Sequence, residues 1–374
     1  MSGLSARLGS DNGRPVVRRH ERVHPESRDN ADIVVLGNTD EDTFASNIFD
    51  TLAAMGLAVR AIDSRGVLLR KTRQGYRSPR ILTYVEDVSR RFEIPRRVLR
   101  EGPIARDLRG VDPRVVISTD GYLPPWTVER LRALTPSATW VLWYPDHLGN
   151  LADQSALVAP YDFLFFKDPY LVDLLLTRTS LRVHYLPEAC NIRRHRPEPF
   201  LSSAEMGRYC ADVAIAGNIY PYRVAILETL PTNVELKLYG NMSRFVRSQR
   251  VRDAFTGEYV VGRNKVLAFR GAKIVLNTLH YGEIGSVNAR LFEATACGGF
   301  VLTHRAPTLG EFFEDGKEVA SFESASELRA SVRHYLEADE DRMAIAEAGR
   351  ARAHRDHTYE VRLDEMARVG GFGI

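Results

Sequence analysis

The stretch ADIVVLGNTDEDTFASNIFDTLAAMGLAVRAID, residues 31–63, decides the fold class. It begins with a short apolar run that ends in Gly37, which is typical of a buried strand. Apolar residues at helical spacing follow from Phe44 to Met55, and Gly56 is placed to cap the end of that helix. A second apolar run occupies residues 57–63. Strand, helix and strand in this order predict a βαβ unit, and therefore a parallel sheet covered by helices.

The same alternation continues to residue 190 and resumes after an irregular stretch rich in Pro, Arg and Glu. Two consecutive α/β series of similar length predict two Rossmann-like domains facing across a cleft, which is the expected ligand site. Residues 64–110 carry many arginines without a periodic pattern, and we predict no structure for them. The predicted divisions are a disordered tail over 1–30, an N-terminal domain over 31–190, a linker over 191–209, a C-terminal domain over 210–353 and a final segment over 354–374.

The composition limits the kind of partner and compartment. The 374 residues carry a formal net charge of +3, and basic residues are interspersed with acidic ones, so we expect no nucleic-acid partner. Three cysteines stand far apart, without the spacing of a disulfide framework or a zinc site. The first 30 residues lack the apolar core of a secretory signal. No run of about 18 apolar residues occurs, so we expect a cytoplasmic protein without an integral membrane segment.

The most informative motif is NARLFEATACGGFVLT, residues 288–303. A helix that begins here at the cleft offers free backbone N–H groups to an anion. Arg290 lies in the first turn, where a guanidinium can bind a diphosphate through two hydrogen bonds. Glu293 lies one turn further on, where its carboxylate can accept hydrogen bonds from ribose hydroxyls.

This motif resembles the donor-binding segment of GT-B glycosyltransferases, specifically the CgeB-like group of the "glycosyl transferases group 1" class. Matching features continue through FFEDGKE at 312–318 and HTYEVR at 357–362, so that the resemblance covers roughly residues 210–365. It implies that the C-terminal domain binds a nucleoside-diphosphate sugar and that Glu293 binds its ribose. It also implies that a C-terminal helix, with Thr358 as its N-cap, packs back on the N-terminal domain.

A second motif, GNIYPYR at 217–223, follows directly after a predicted strand. Related enzymes often carry a Gly-Arg…Lys pattern here, whose cations hold the donor diphosphate. Arg223 matches the lysine position of that pattern and Asn218 the arginine position. Gly240 ends a strand where proteins of this fold form part of the base pocket, although a plain turn glycine explains it equally well.

The chain departs from the family pattern eight positions before Glu293. Many relatives carry a glutamate there that contacts the donor sugar, whereas this chain has Gly285, and Glu283 is out of register. Backbone amides of the loop 282–286 are the expected replacement. The predicted donor-binding residues are Glu293, Arg290, Arg223, Asn218, Gly217, Gly240, Gly285, Ser286 and Asn288.

The N-terminal domain is expected to hold the acceptor and the general base. Asp146 and His147 follow a strongly apolar strand, so they emerge at the carboxyl end of the predicted sheet. Inverting transfer needs a base that deprotonates the acceptor hydroxyl, commonly His or Asp. The candidates are Asp146, His147, and Asp120 after the strand over 115–119. Helix capping by Asp146 and local packing by His147 are the alternative interpretations.

No metal site and no cofactor are expected. Asp40-Glu-Asp42 and Asp339-Glu-Asp341 match the Asp-x-Asp of the metal-dependent glycosyltransferase fold, but such matches are common by chance. We interpret both as helix caps or surface charge. Cleft cations and a helix N-terminus can stabilise a leaving diphosphate without metal. Lys265 and Arg270 are interpreted as solvated side chains of a surface helix.

The sequence thus predicts a metal-independent glycosyltransferase, a hexosyl- or related transferase, that moves a sugar to an acceptor hydroxyl. The acceptor class stays open among a small molecule, a glycan and a protein. The alternative is a catalytically silent nucleotide-sugar-binding or spore-coat-type protein on the same fold. An NAD-dependent oxidoreductase is disfavoured because G-x-G-x-x-G follows neither Gly37 nor Gly217 at the opening strands. A nonhydrolysing sugar-nucleotide epimerase shares the architecture but fits the motifs less well.

Overall fold

The computed structural model describes residues 31–65, 84, 92, 97–151 and 154–374. The tail predicted for 1–30, and most of the segment 64–110, therefore lie outside the described residues. Strands, α-helices and their connections are given below with labels in chain order. The described residues also include a π-helical turn at Arg97–Glu101 and a 3-10 turn at Leu148–Asn150.

The strands form two sheets in which every observed pair is parallel. The first sheet has the order β2-β1-β3-β4-β5-β6, and the second has the order β11-β10-β9-β7-β8. The strands are β1 Ile33–Gly37, β2 Val59–Asp63, β3 Val115–Ser118, β4 Thr139–Tyr144, β5 Phe163–Phe166, β6 Val183–Tyr185, β7 Ala211–Ala216, β8 Leu236–Tyr239, β9 Ala272–Asn277, β10 Val301–His304 and β11 Ala320–Phe322.

The helices follow the strands in the alternation that the sequence predicts. They are α1 Phe44–Ala54, α2 Gly102–Leu108, α3 Pro125–Arg132, α4 Ser155–Val158, α5 Pro169–Arg178, α6 Ser203–Tyr209, α7 Pro221–Leu227, α8 Gln249–Asp253, α9 Gly262–Gly271, α10 Ala289–Ala296, α11 Leu309–Phe312, α12 Ala325–Glu337, α13 Asp339–Asp356 and α14 Tyr359–Gly370.

The opening βαβ unit shows why these residues take these elements. All five residues of β1 are buried, because the sheet has helices on both faces and each side chain meets a core. Helix α1 begins after Thr43, whose hydroxyl accepts the backbone N–H of Ser46. Gly56 follows the helix with φ of +83°, a left-handed conformation that glycine adopts without steric cost. The prediction for residues 31–63 is confirmed.

The last helix returns to the first sheet. Thr358 caps α14 by accepting the N–H of Val361, and Tyr359, Leu363 and Met366 are buried in the core beneath β1, β3 and β4. The indole ring of Trp143 lies 6.0 Å from the ring of Tyr359. The predicted crossing helix and its cap are therefore present, and the α/β architecture of two parallel sheets is confirmed.

Two segments cross between the sheets, and they pair with each other. The backbone N–H of Cys190 donates to His357 O at 2.9 Å, and the N–H of Tyr359 donates to Cys190 O at 3.1 Å. The predicted linker over 191–209 is only partly irregular, because it ends in helix α6. That helix is tied to α9 by an ion pair of 2.7 Å between Arg263 and Glu205. The exact domain boundaries stay a prediction.

Replacing Leu363 by Ala should lower the free energy of unfolding by about 2–5 kcal/mol, because it removes a fully buried side chain from the shared core. Val361 lies on the same helix and is 38% exposed, so Val361→Ala should change stability by less than about 0.5 kcal/mol. Denaturant titration followed by tryptophan fluorescence measures both. Equal, small effects would show that α14 does not stabilise the first sheet.

Candidate active site

A cavity of about 600 Å³ lies where the carboxyl ends of the two sheets face each other. This is the expected position of a ligand in folds built from parallel sheets. The residues of the sequence prediction that line it are Asp146, His147, Gly217, Asn218, Arg223, Gly240, Asn288, Arg290 and Glu293. The lining also includes residues outside that prediction, among them Asp42, Lys167, Glu188, Lys265, His280 and Glu283.

Two arginines stand side by side at one wall of the cavity. In the first turn of α10, Arg290 donates to Ala216 O and, at 3.1 Å, to Asn277 Oδ1. On α7, Arg223 is 3% exposed and donates to Thr278 Oγ1 at 2.7 Å. These neutral acceptors fix the direction of each guanidinium without cancelling its charge.

The positive charge of this pair has no carboxylate partner among the residues that the structure describes. Burial lowers the pKa of Arg290, and burial together with the neighbouring charge of Arg290 lowers the pKa of Arg223 to about 9. Bringing two like charges together in a buried site is unfavourable unless an anion joins them. The wall is therefore built for an anionic ligand.

Two glycines give the guanidiniums their space. Gly217 has φ of +149° and Gly240 has φ of +133°. A Cβ on Gly217 would lie 2.1 Å from Arg290 Nη2, and a Cβ on Gly240 would lie 2.3 Å from Gly217 O. Both positions exclude a side chain, since real Cβ contacts are never this short. Gly240 thus lets its backbone pack closely against Gly217, beside the two arginines.

The other two predicted donor residues of this lining, Asn218 and Asn288, hold neighbouring groups of the chain in place. Asn218 accepts from Arg223 with its carbonyl oxygen, and its side-chain Oδ1 accepts from Asn241 at 3.3 Å. Asn288 is the N-cap of α10, where its side chain accepts the N–H of Leu291 at 3.3 Å. Both residues shape the wall at the start of α10.

Glu293 belongs to a buried ionic cluster that joins the two halves of the chain. Its Oε2 lies 3.0 Å from Lys265 Nζ, which lies 2.7 Å from Asp42 Oδ2. Burial alone would raise the pKa of Asp42, but the charge of Lys265 outweighs it and holds that pKa well below its usual value. The interpretations of Asp42 as a cap or surface charge and of Lys265 as solvated are therefore wrong, since both are buried.

A second ionic cluster in the cavity lining also joins the two halves of the chain. Lys167 follows β5, and its Nζ lies 3.1 Å from Glu188 and 2.9 Å from Glu283. Burial raises the pKa of Glu188 to about 7, because Lys167 compensates only part of its desolvation and Glu283 adds a like charge. A carboxyl group that titrates near neutral pH inside a cavity can hold or release a proton.

The loop 282–286, whose amides are predicted to bind the donor sugar, instead directs two of these amides to the carboxylate of Asp168. The amide N–H of Gly285 donates to Asp168 Oδ1 at 3.2 Å, and that of Ile284 donates to Asp168 Oδ2 at 3.2 Å. Ser286 donates to Glu283 at 2.5 Å. Gly285 and Ser286 do not line the cavity, whereas Glu283, which the sequence placed out of register, does.

The three candidate bases separate clearly. Asp120 lies outside the cavity lining, and its carboxylate is held by Arg100 at 2.6 Å and by Ser64 at 2.6 Å. Both Asp146 and His147 line the cavity, with Asp146 Oδ1 3.8 Å from His147 Nε2. The position of Asp146 and His147 therefore favours them as candidates for the general base, whereas the position of Asp120 disfavours it.

The His147 ring also meets the other half of the chain. It stacks on His280 with the ring centroids 4.2 Å apart and the planes 9° apart. Its Nδ1 is buried and has no hydrogen-bond partner among the described residues. His280 Nδ1 accepts the N–H of Gly282 at 3.1 Å, and burial lowers the pKa of His280.

Residues 211–368, which include both arginines and Glu293, match the model of a family described as glycosyl transferase-like. No protein of curated function matches the sequence significantly. The predicted narrower membership in the CgeB-like group stays a prediction.

Solved structures show the same fold over nearly the whole chain. Sucrose-phosphate synthase from Thermosynechococcus elongatus is 13% identical, with a TM-score of 0.58 over 90% of this chain and 98% of that one. HepE from Anabaena, solved with UDP, is 11% identical, with a TM-score of 0.56 over 90% and 98%. WaaG, a glycosyltransferase involved in lipopolysaccharide biosynthesis, is 15% identical, with a TM-score of 0.54 over 91% and 100%.

These structures confirm the predicted GT-B fold of two Rossmann-like domains. Within the part of the chain that the structure describes, no helix has the length and apolar character needed to cross a membrane.

Glu188→Gln should change how the stability of this protein depends on pH. The pKa of Glu188 is raised from 4.5 to about 7 on folding. The stability that its protonated carboxyl gives the folded state is therefore fully present below pH 4.5 and is lost as the pH rises through about 7. Between pH 4.5 and 8 the free energy of unfolding of the wild type should therefore fall by up to about 3 kcal/mol relative to that of Glu188→Gln.

Thermal unfolding across that range measures the difference. The matched control is Glu235→Gln, since the side chain of Glu235 is 62% exposed, and its curve should follow the wild type. Parallel curves for wild type and Glu188→Gln would contradict a raised pKa at this carboxyl.

Proposed function

We propose that the protein transfers a sugar from a nucleoside-diphosphate sugar to an acceptor hydroxyl without a metal ion. The observation that carries this proposal is the buried pair Arg223 and Arg290, which has no carboxylate partner among the described residues and faces the cavity beside Glu293. A diphosphate supplies the missing negative charge in a geometry that two guanidiniums can bind.

The rest of the donor is then oriented by its neighbours. Glu293 lies one helical turn after Arg290, and its carboxylate accepts the ribose hydroxyls. Gly240 and the stretch 259–261 line the cavity beyond it and accommodate the base. The sugar lies toward Lys167 and Glu283, which also line the cavity, where a carboxylate and an ammonium can bind its hydroxyls.

Metal independence follows from the same charges. The leaving diphosphate is stabilised by Arg223, Arg290 and the N-terminus of α10. Asp42, His195 and Glu293 lie close enough together to hold a metal ion. However, the ammonium of Lys265 already lies between the two carboxylates, 2.7 and 3.0 Å from their oxygens. This cluster therefore already contains a cation of the chain.

The transfer step uses the pair Asp146 and His147. One of them removes the proton of the acceptor hydroxyl as the acceptor oxygen bonds to the anomeric carbon. The bond from that carbon to the diphosphate breaks, and its electron pair leaves on the diphosphate beside the two arginines. The N-terminal domain proposed over 31–190 supplies the acceptor side of the cleft, and that proposed over 210–353 supplies the donor side.

Structures of Anabaena HepE contain UDP and UDP-glucose, so UDP-sugars are the first probes for this chain. Donor binding should stabilise the wild type by RT ln(1 + [L]/Kd), and slow hydrolysis should release UDP in the presence of EDTA. Arg290→Met should bind UDP at least about tenfold more weakly, because a charge-assisted contact is lost.

Arg270→Met is the matched control, since Arg270 donates only to Glu198 O outside the cavity. GDP-, ADP-, CDP- and TDP-sugars extend the panel to other bases. Binding without release of nucleoside diphosphate, with or without any acceptor, would favour the silent binding protein. No stabilisation by any of these donors would refute the proposal.

Exchanging His147 or Asp146 for Asn should lower kcat by about 10²-fold or more while leaving the donor Kd within about threefold, because a general base acts on the acceptor and not on the donor. Initial rates and calorimetric donor titration separate the two quantities. His334→Asn, at a side chain that is 62% exposed, controls for unspecific effects. Unchanged kcat in both cavity variants would exclude this pair as the base.

A further inference from the structure

The ammonium of Lys265 lies between two carboxylates of the chain, those of Asp42 and Glu293. It lies on α9, is 8% exposed, and contacts Asp42 Oδ2 at 2.7 Å and Glu293 Oε2 at 3.0 Å. An ammonium group has three donors, and two of them are engaged by these carboxylates. Lys265 thereby fixes one oxygen of Glu293 from behind.

Asp42 cannot serve a ligand itself, because every direction around its carboxylate is occupied. Oδ1 lies 2.9 Å from His195 Nε2 and accepts from Asn47 at 3.3 Å. Oδ2 accepts the N–H of Gly262 at 3.1 Å and contacts Lys265. The Asp42 side chain has no exposed surface. Asp42 therefore acts on the cavity through the side chains that it contacts, Lys265 and His195, and not by binding a ligand.

The contact with His195 has a defined direction. His195 Nδ1 accepts the backbone N–H of Asn191 at 3.0 Å, so the ring carries its proton on Nε2 and donates it to Asp42. The backbone of Asp42 is also unusual, since its φ of +60° is left-handed. Such a conformation persists where the surroundings fix it. Asp42 is thus a rigid anchor that comes from the first half of the chain.

From this geometry we propose that Lys265 and Asp42 are positioning residues for Glu293, which together set how strongly the protein recognises the ribose hydroxyls of its donor. The inference rests on the ribose role of Glu293 in the proposed function. Lys265 holds Oε2, while Glu293 lines the cavity with its side chain 13% exposed. The second oxygen is held only loosely, 3.8 Å from His195 Nε2, and is the acceptor offered to the ribose.

Two effects of Lys265 support this role. Fixing the Glu293 side chain before binding removes the entropy cost of ordering it on the ligand. The ammonium also separates two carboxylates whose oxygens, with the His195 ring nitrogen, all lie within 4.8 Å of one another. Without it, the two like charges would repel, and Glu293 would turn away from Asp42. A displaced carboxylate is a weaker acceptor for the ribose hydroxyls.

The experiment compares ribonucleotides with deoxy analogues. UDP, GDP and ADP are titrated into the wild type by calorimetry, and the tightest binder is compared with its 2′-deoxy, 3′-deoxy and monophosphate forms. In the wild type at least one deoxy analogue should bind about tenfold more weakly, as expected for a lost hydrogen bond to a charged group. In Lys265→Met that ratio should fall below about threefold, while the ratio of diphosphate to monophosphate affinity stays unchanged.

Two further variants keep the proposal testable if Lys265→Met does not fold. Asp42→Asn keeps the shape of the anchor but removes its charge and should reduce the ribose-to-deoxyribose ratio, whereas Lys265→Arg keeps the cation and should retain it. The control is Lys273→Met, since Lys273 pairs with Asp212 outside the cavity and should leave both ratios unchanged.

The outcomes separate this inference from the function on which it rests. A purely structural role of Lys265 would weaken all nucleotides alike and leave the ribose ratio unchanged in every variant, which would overturn the inference alone. A wild type that binds ribo- and deoxyribonucleotides equally would overturn the ribose role of Glu293 together with the inference. Absence of binding to UDP, GDP and ADP, with no stabilisation by the remaining donors, would overturn the proposed function itself.

Discussion

The parallel arrangement of the strands is the constraint on which the site depends. Because neighbouring strands run in the same direction, the turns that follow β1, β4, β5 and β6 all open at one edge of the first sheet. The turns after β7, β8 and β9 do the same in the second sheet, and the two edges face one cavity. Residues that are far apart in the chain, such as Asp42 and Lys265, therefore meet without any local sequence relation.

Within the cavity, charges are distributed in two distinct ways. Lys265 and Lys167 are each enclosed by two carboxylates, and each such cluster takes residues from both halves of the chain. Arg223 and Arg290, in contrast, contact only neutral oxygens. The clusters hold residues of both halves together at the cavity, and the arginines leave an unbalanced positive charge in its lining. A site with this division keeps its geometry when empty and still attracts an anion.

The sequence predicted those features that depend on short-range patterns. The βαβ unit over 31–63, the helix that begins after Asn288 and the cap at Thr358 each rest on spacing that sterics and hydrogen bonding enforce locally. The motif that follows β7 predicts Arg223, and the first turn of the helix that begins after Asn288 predicts Arg290. Lys265 and Asp42 were misread, since a lysine on a helix with polar neighbours gives no sign of its burial until the other half of the chain is placed against it.

Glu188 and Lys167 were missed for a related reason, although a usable signal existed. Lys167 directly follows β5, and Glu188 lies in the turn after β6. Asp146 and His147 are predicted from the same kind of position, in the turn after β4. Glu283 was set aside because the family pattern was read at fixed spacing, whereas a loop can bring a glutamate two positions away into the same cavity. Position relative to strand ends was therefore more informative than register within a motif.

The two crossing segments have a mechanical consequence. Since Cys190 exchanges backbone hydrogen bonds with His357 and Tyr359, both connections between the sheets pass through one narrow point. Any movement of one sheet relative to the other must therefore bend the chain at this point. Because the Lys265 and Lys167 clusters also join the two halves, such a movement would break their ion pairs as well.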